Sequence, residues 1–158
     1  MEEDRPPATS TPDVVLQLHE CWALLRDEAY GRLAVAGESG PDVFPINVRV
    51  DHGTIVFRTA EGTKLAALRE DPRVAFEVDG HDDGAMWSVV LRGRAKVVSD
   101  QYEAVDVVEL GVTPWQRGPK PEFVRIVPET VSGRRFQRTQ RSEWSVPEPI
   151  ARAVPDES

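Results

Sequence analysis

The stretch from Phe44 to Thr59 reads as two strands joined by a tight turn. The runs Phe44–Val50 and Thr54–Thr59 are rich in β-branched and apolar residues, and Asp51-His52-Gly53 lies between them. Turns of this Asp/Gly type are the ones that β-hairpins use. Strands connected by so short a turn must run antiparallel, so the sequence predicts an antiparallel sheet here.

The second strand leads into a short helix whose start has the chemistry of an anion site. The helix is predicted to begin at about Thr63, with an apolar stripe at Leu65 and Leu68, and to end before Pro72. A helix N-terminus has free N–H groups and a partial positive charge, which attract phosphate. Thr63 adds a hydroxyl and Lys64 a positive charge, so the sequence predicts a phosphate cradle.

A plainer interpretation of the same residues stays open. Thr near a helix start commonly caps the helix, and a lone Lys in a first turn is commonly solvated. The spacing of a P-loop is absent.

Short strands dominate the rest of the chain. A first helix is predicted from Thr11, its cap, through Pro12 to about Asp27, and Tyr30-Gly31 terminates it. Further strands are predicted at about Arg32–Ala36, Arg73–Val78, Met86–Val98, Phe123–Val127 and Thr130–Gln137, and the first strand of the hairpin is placed at about Val43–Val50. A second helix is predicted at roughly Asp100–Leu110, and loops at Asp79–Ala85 and Gly111–Pro121. Because no helix is placed to form a βαβ unit, the pattern predicts a closed or partly closed antiparallel barrel, mainly β with peripheral α.

The length of 158 residues allows one core. We expect residues 1–10 to be a flexible arm, 11–140 the folded domain, and 141–158 a flexible, proline-bearing tail. No apolar run reaches the length of a membrane span, and no signal-peptide segment follows Met1. Cys21 lies on a helical pattern and is predicted to be a buried thiol. These features indicate a cytoplasmic protein that does not associate with membranes.

The net charge of −8 argues against nucleic-acid binding. Bases nevertheless outnumber acids between Arg117 and Arg141. Most of these bases are expected to be solvated, but one or two arginines could reach an anionic ligand. Arg134 and Arg135 are adjacent in a predicted strand, so only one of them can face such a ligand.

Side chains arranged for catalysis are missing from the sequence. His19, His52 and His81 fall in a helix, a turn and a loop, without metal-ligand spacing. Asp82 and Asp83 are predicted to be solvated, so no metal site is expected. When an enzyme has no reactive side chains, a cofactor generally supplies the reactive group.

Several stretches in order resemble the pyridoxamine-phosphate-oxidase-like split-barrel flavoproteins, and among them the short, nitroimidazole-reductase-like branch. The matching stretches are His19–Val35, Pro45–Val50, Phe57–Leu68, Asp71–Val78, Trp87–Val98 and Val124–Phe136. The resemblance implies a split β-barrel of antiparallel strands that binds FMN. It also implies a homodimer with the flavin at the subunit interface.

The resemblance also implies roles for individual residues. The strand along the isoalloxazine edge matches Pro45, Ile46, Asn47 and Val48. The strand end beneath the ribityl chain matches Arg58, Thr59 and Ala60, and the phosphate clasp matches Thr63 and Lys64. The strand that completes the site, from the partner subunit in many relatives, matches Trp87 and Ser88. A late strand near the ligand matches Arg134 or Arg135. From the residues alone, Trp87 would be a core aromatic and Asn47 a satisfied strand-end amide.

Two departures from the family pattern affect the expected activity. The nitroimidazole-reductase-like proteins often have His-Ser-Ala where this chain has Arg58-Thr59-Ala60, so the role of that histidine is absent. Full-length pyridoxamine phosphate oxidases have Arg-Lys in place of Thr63-Lys64 and a longer C-terminal substrate segment. Oxidation of pyridoxamine phosphate is therefore not expected, and no exposed histidine pair for haem is evident.

The resulting hypothesis is an FMN-dependent small oxidoreductase that acts on an unidentified small molecule. The alternatives are a non-catalytic flavin carrier or sensor, a reductase that uses the deazaflavin F420 on the same fold, and a barrel without a cofactor. The apolar strand Met86–Leu91, with Trp87, is the predicted core of the dimer interface.

Overall fold

The structure is a computed structural model that describes residues 13–59, 62–98 and 122–137. Within these residues it contains seven strands and two helices. In chain order they are β1 (Val14–Val15), α1 (Leu18–Asp27), β2 (Tyr30–Gly37), β3 (Gly40–Asp51), β4 (Thr54–Thr59), α2 (Thr63–Glu70), β5 (Arg73–Asp82), β6 (Ala85–Val97) and β7 (Glu122–Gln137).

The strands form a barrel. Their order is β1-β7-β4-β3-β2-β5-β6, and a further pairing between β6 and β7 closes the ring of six strands. Every pairing is antiparallel. This confirms the predicted fold class, a mainly β split barrel with peripheral helices.

Residues from the six strands of the ring, largely at alternate positions, fill the barrel. Buried examples include Leu33 on β2, Phe57 on β4 and Phe76 on β5. The helices extend this core through Cys21 and Leu25 of α1 and through Leu65 and Leu68 of α2. The predicted burial of Cys21 is confirmed, and burial raises the pKa of its thiol.

The turn between β3 and β4 has the predicted form. His52 and Gly53 have φ angles of 46° and 71°, so both central residues are left-handed, as a tight hairpin turn requires. Thr54 Oγ1 donates a hydrogen bond to the carbonyl oxygen of Asp51 at 2.6 Å. Arg125 of β7 donates to Asp51 Oδ2 at 2.8 Å, which ties the turn to the neighbouring strand.

The prediction of a loop at Asp79–Ala85 was wrong. β5 continues to Asp82 and pairs with β6 up to Ala85, with the turn confined to Asp83 and Gly84. The segment is polar because alternate residues at this end face solvent, and that composition resembles a loop. Gly80 leaves the space that the Trp87 indole occupies, since a Cβ there would lie 2.5 Å from Trp87 Cζ2.

The start of the first helix was also predicted wrongly. Val14 and Val15 form β1, which pairs with Arg135 and Arg134 of β7, and α1 begins only at Leu18. A reciprocal capping box between Gln17 and Glu20 fixes that start. Two adjacent β-branched residues beside an open strand edge favour pairing over helix. Thr11 and Pro12 lie outside the described residues.

The last two predicted strands are one continuous strand, β7. Pro128 falls within it, opposite Gly93, where the register shifts between Arg92 and Gly93. A bulge accommodates a proline that lacks an N–H donor, so the strand continues through it. The predicted helix at Asp100–Leu110, the loop at Gly111–Pro121, the arm at 1–10 and the tail at 141–158 lie outside the described residues.

Neither described helix is long and apolar enough to cross a membrane.

Candidate functional site

The barrel is split between β3 and β4. Their ladder runs from Asp51–Thr54 to Val48–Phe57 and stops there. Beyond that point β3 pairs with β2, where Asn47 lies opposite Tyr30, and β4 pairs with β7, where Arg58 lies opposite Phe123. Pro45, Ile46 and Asn47 on β3 and Arg58 and Thr59 on β4 therefore lie on the two sides of one opening, next to the last pair of the ladder.

Side-chain direction divides the predicted β3 residues into two pairs. Ile46 and Val48 are 6% and 2% exposed and belong to the core. Pro45 and Asn47 are exposed on the outer surface. A ligand on that surface could contact the side chains of Pro45 and Asn47, whereas Ile46 and Val48 could offer it backbone groups only.

The end of β4 carries two polar residues in a shielded environment. Thr59 is only 7% exposed and faces the interior. Arg58 is half-buried on the outer face, with its Nε atom shielded from solvent. Both residues have polar or electrostatic interactions in the structure. Ala60, the third residue predicted here, lies outside the described residues.

At the helix start beside the opening, the described residues provide no side-chain cap. Gly62 is the N-cap residue of α2 and makes no side-chain cap hydrogen bond, so Thr63 is the first helical residue and not the cap. Free N–H groups at such a start are donors available to an anion.

Lys64 lies in the first turn of α2 and is half-buried. Its Nζ is 4.8 Å from the centroid of the Phe44 ring. Burial lowers the pKa of the ammonium. Among the described residues no carboxylate forms an ion pair with Lys64. The side chain is therefore not the fully solvated lysine of the plainer interpretation.

Trp87 and Ser88 point to opposite faces of β6. Trp87 is 4% exposed and packs in the core of its own chain, which is the arrangement expected for a core aromatic. Ser88 faces outward, opposite Asp79 on β5 and Arg134 on β7. Trp87 is therefore enclosed within its own chain, whereas Met86, Ser88, Val90 and Arg92 alternate with the buried residues of this strand and face outward.

Arg134 and Arg135 also point to opposite faces, as predicted. Arg134 is exposed on the same face as Ser88. Arg135 lies on the same face as Trp87, and its guanidinium forms an ion pair with Asp82. Of the two arginines, Arg134 is therefore the one whose side chain is exposed on the outer surface.

Two residues near the opening were missed in the sequence. Phe44 contacts Lys64 although twenty positions separate them, and in the sequence it reads only as one apolar residue of a strand. Tyr30 is 54% exposed and lies opposite Asn47. The sequence signal for Tyr30 was an aromatic residue shortly after a helix. Tyr30 was instead interpreted only as part of the signal that ends the helix.

Comparison with known proteins identifies the family. The sequence pattern described as pyridoxamine 5'-phosphate oxidase matches residues 17–135. The uncharacterized protein Rv0080 of Mycobacterium tuberculosis is 30% identical over 143 residues, which cover 86% of this chain and 93% of that protein. The FAD binding protein from Mycobacterium smegmatis is 37% identical with a TM-score of 0.71, over 80% of this chain and 100% of that one. A FAD-binding protein from Mesorhizobium loti is 28% identical with a TM-score of 0.69, over 80% and 100% of the two chains. The barrel and its sequence together show that this chain belongs to the pyridoxamine 5'-phosphate oxidase family.

Proposed function

We propose that this protein binds a flavin nucleotide in the opening between β3 and β4 and uses it as a small oxidoreductase. The observation that carries the proposal is the environment of the Lys64 ammonium. A half-buried ammonium without a carboxylate partner among the described residues, beside an uncapped helix start, is suited to a phosphate group. Two related structures are of FAD-binding proteins.

The residues present fit the parts of a flavin nucleotide. Lys64 and the first N–H groups of α2 bind the phosphate. The exposed amide of Asn47 is placed for the polar edge of the ring system, and Pro45 offers an apolar surface beside it. FMN is the cofactor predicted from the sequence. FAD carries the same phosphate next to its ribityl chain, so this clasp would accept either flavin.

A bound flavin would supply electron transfer to or from a small molecule, and the protein's own side chains would choose that molecule. The exposed guanidinium of Arg134 favours an anionic substrate. We also propose a homodimer in which Ser88 of the partner subunit helps to complete the site.

The first experiment identifies the cofactor of the purified protein. A yellow protein that releases FMN or FAD on denaturation, as separated by chromatography, supports the proposal. A colourless protein that binds F420 but neither flavin would contradict it and favour the deazaflavin alternative. Reduction by a nicotinamide nucleotide followed by multiple turnovers with an electron acceptor distinguishes an oxidoreductase from a flavin carrier or sensor.

The second experiment tests the phosphate clasp. Lys64→Ala should weaken FMN binding by about 1.5–3 kcal/mol, because it removes a charge-assisted contact. Binding of riboflavin, which has no phosphate, should change little. Calorimetric titration with both ligands measures the difference, and equal losses for the two would remove Lys64 from the site.

A further inference from the structure

Phe44 is held firmly at the position where it meets Lys64. It lies on β3 opposite Leu33, a fully buried residue of β2, and its half-buried ring packs against the core. An aromatic side chain has only two rotatable bonds, so this packing leaves the ring little freedom.

The ring attracts the lysine without neutralising it. Lys64 Nζ is 4.8 Å from the ring centroid, within the range of a cation–π interaction. A carboxylate at the same place would cancel the charge and compete with an incoming phosphate. The quadrupole of an aromatic face carries no net charge, so the ammonium keeps its full charge for an anion.

We propose that Phe44 is a positioning residue that holds the Lys64 ammonium beside the first turn of α2, where it meets the cofactor phosphate. The inference rests on the proposed function. The lysine side chain has four flexible carbons, and without the ring it would spread over many rotamers in solvent. Phe44 acts through Lys64 and needs no contact with the ligand.

Replacing the ring tests this role. Phe44→Leu should lower the ratio of FMN affinity to riboflavin affinity by about two- to fivefold, the usual size of an exposed cation–π contact. Phe44→Tyr keeps an aromatic face and should keep the ratio. Phe136→Leu, the same change at a half-buried phenylalanine opposite Met86, is the matched control and should leave the ratio unchanged.

A double mutant separates positioning from packing. In a Lys64→Ala background, Phe44→Leu should no longer change the FMN-to-riboflavin ratio, because the group that it positions is gone. If Phe44→Leu instead weakens both ligands equally, and does so with or without Lys64, the role of Phe44 is structural and the proposal is overturned.

A readout without ligand tests the contact itself. Protons on the ε-carbon of Lys64 should show an upfield NMR shift from the ring current of Phe44, retained in Phe44→Tyr and lost in Phe44→Leu. Absence of that shift in the unaltered protein overturns the inference directly.

The binding data distinguish failure of this inference from failure of the proposed function. If the unaltered protein does not prefer FMN to riboflavin, the proposed function fails and the role of Phe44 fails with it. If Lys64→Ala abolishes a real preference that Phe44→Leu leaves intact, the inference alone fails.

Discussion

Lys64 carries a positive charge in a partly buried position. Burial and a bound phosphate would have opposite effects on its protonation. Burial lowers its pKa below the ordinary value of 10.5, because desolvation disfavours the charged form. A phosphate that binds beside the ammonium would favour the charged form again. Proton uptake and phosphate binding at this residue are therefore linked.

This linkage predicts that the preference for FMN over riboflavin depends on pH. Lys64 is charged below its pKa, so the preference for FMN over riboflavin should be full near neutral pH and should decline as pH rises towards 10. Lys64→Arg should retain its preference over the same range, since a guanidinium does not deprotonate there. Affinities of both ligands measured from pH 7 to 10 provide the comparison. The same decline in the arginine variant would show that another group is responsible.

Asp51 shows the opposite case, a carboxylate that is stabilised in its charged form. Its side chain and that of Arg125 are 12% and 13% exposed. The hydrogen bond from Arg125 is the main reason that the pKa of Asp51 is lowered from 3.8, and burial opposes this shift. A lowered pKa means that the pair contributes stability above pH 3.8 and loses it as pH falls through the pKa in the folded state.

Asp51→Asn should therefore lower the free energy of unfolding at pH 7 by about 1.5–3 kcal/mol, the usual value of a hydrogen bond to a charged group. The difference from the unaltered protein should shrink as the solution is acidified below pH 3.8. Urea unfolding at several pH values measures both effects. Glu129→Gln breaks an exposed pair with Arg94 and should change stability by less than about 0.5 kcal/mol. A difference for Asp51→Asn that does not vary with pH would mean that the charge contributes nothing.

Among the elements, the long pairing of β6 with β7 closes the barrel, and a bulge at Gly93 allows it to pass Pro128. A Cβ at Gly93 would lie 2.1 Å from the carbonyl oxygen of Val127 and 2.9 Å from the Cα of Pro128. Both are backbone atoms, so no side-chain rotation can relieve the contact. The bulge therefore depends on a glycine for space.

Gly93→Ala should destabilise the protein by about 1–3 kcal/mol, as overpacking of a well-packed site does. Thermal or urea unfolding measures the loss. Ser132→Ala, an exposed position of β7 on the same ladder, is the control and should stay within about 0.5 kcal/mol. Unaltered stability of Gly93→Ala would mean that the two strands can separate at the bulge without cost.

For the assembled protein, the outer face of β6 is the surface that we expect to meet a second copy. Val90 lies on that face, half-buried between Glu77 of β5 and Ser132 of β7. A lysine at this position could join the ion pair that Glu77 forms with Arg32, so the barrel would tolerate it, whereas an interface between two copies would have to bury an extra charge.

Val90→Lys should therefore shift the protein from dimer to monomer in light scattering and reduce its flavin content. Leu18→Lys adds the same charge at a leucine that is 59% exposed on α1 and should remain dimeric. A Val90→Lys monomer that still holds one flavin per chain would refute a site shared between subunits. A dimer that persists unchanged would place the interface elsewhere.

The sequence was sufficient where neighbouring residues decide the structure. The Asp-His-Gly turn, the strands on either side of it and the helix that begins at Thr63 and ends before Pro72 were all predicted, because turn residues, strand alternation and a terminating proline act over a few positions. The inward and outward alternation also separated Arg134 from Arg135 correctly.

Tertiary structure decided the rest, because the forces involved join residues that are distant in the chain. Val14 and Val15 are a strand only because the edge of β7 lies beside them, and polar residues up to Asp82 extend β5 only because β6 pairs with them. Trp87 faces the core of its own chain because Gly80 on the neighbouring strand leaves it room. The contact between Phe44 and Lys64 has no local signal at all. It forms because α2 packs on the barrel and places a charged side chain over a ring from another element, and a pattern of neighbouring residues cannot reveal it.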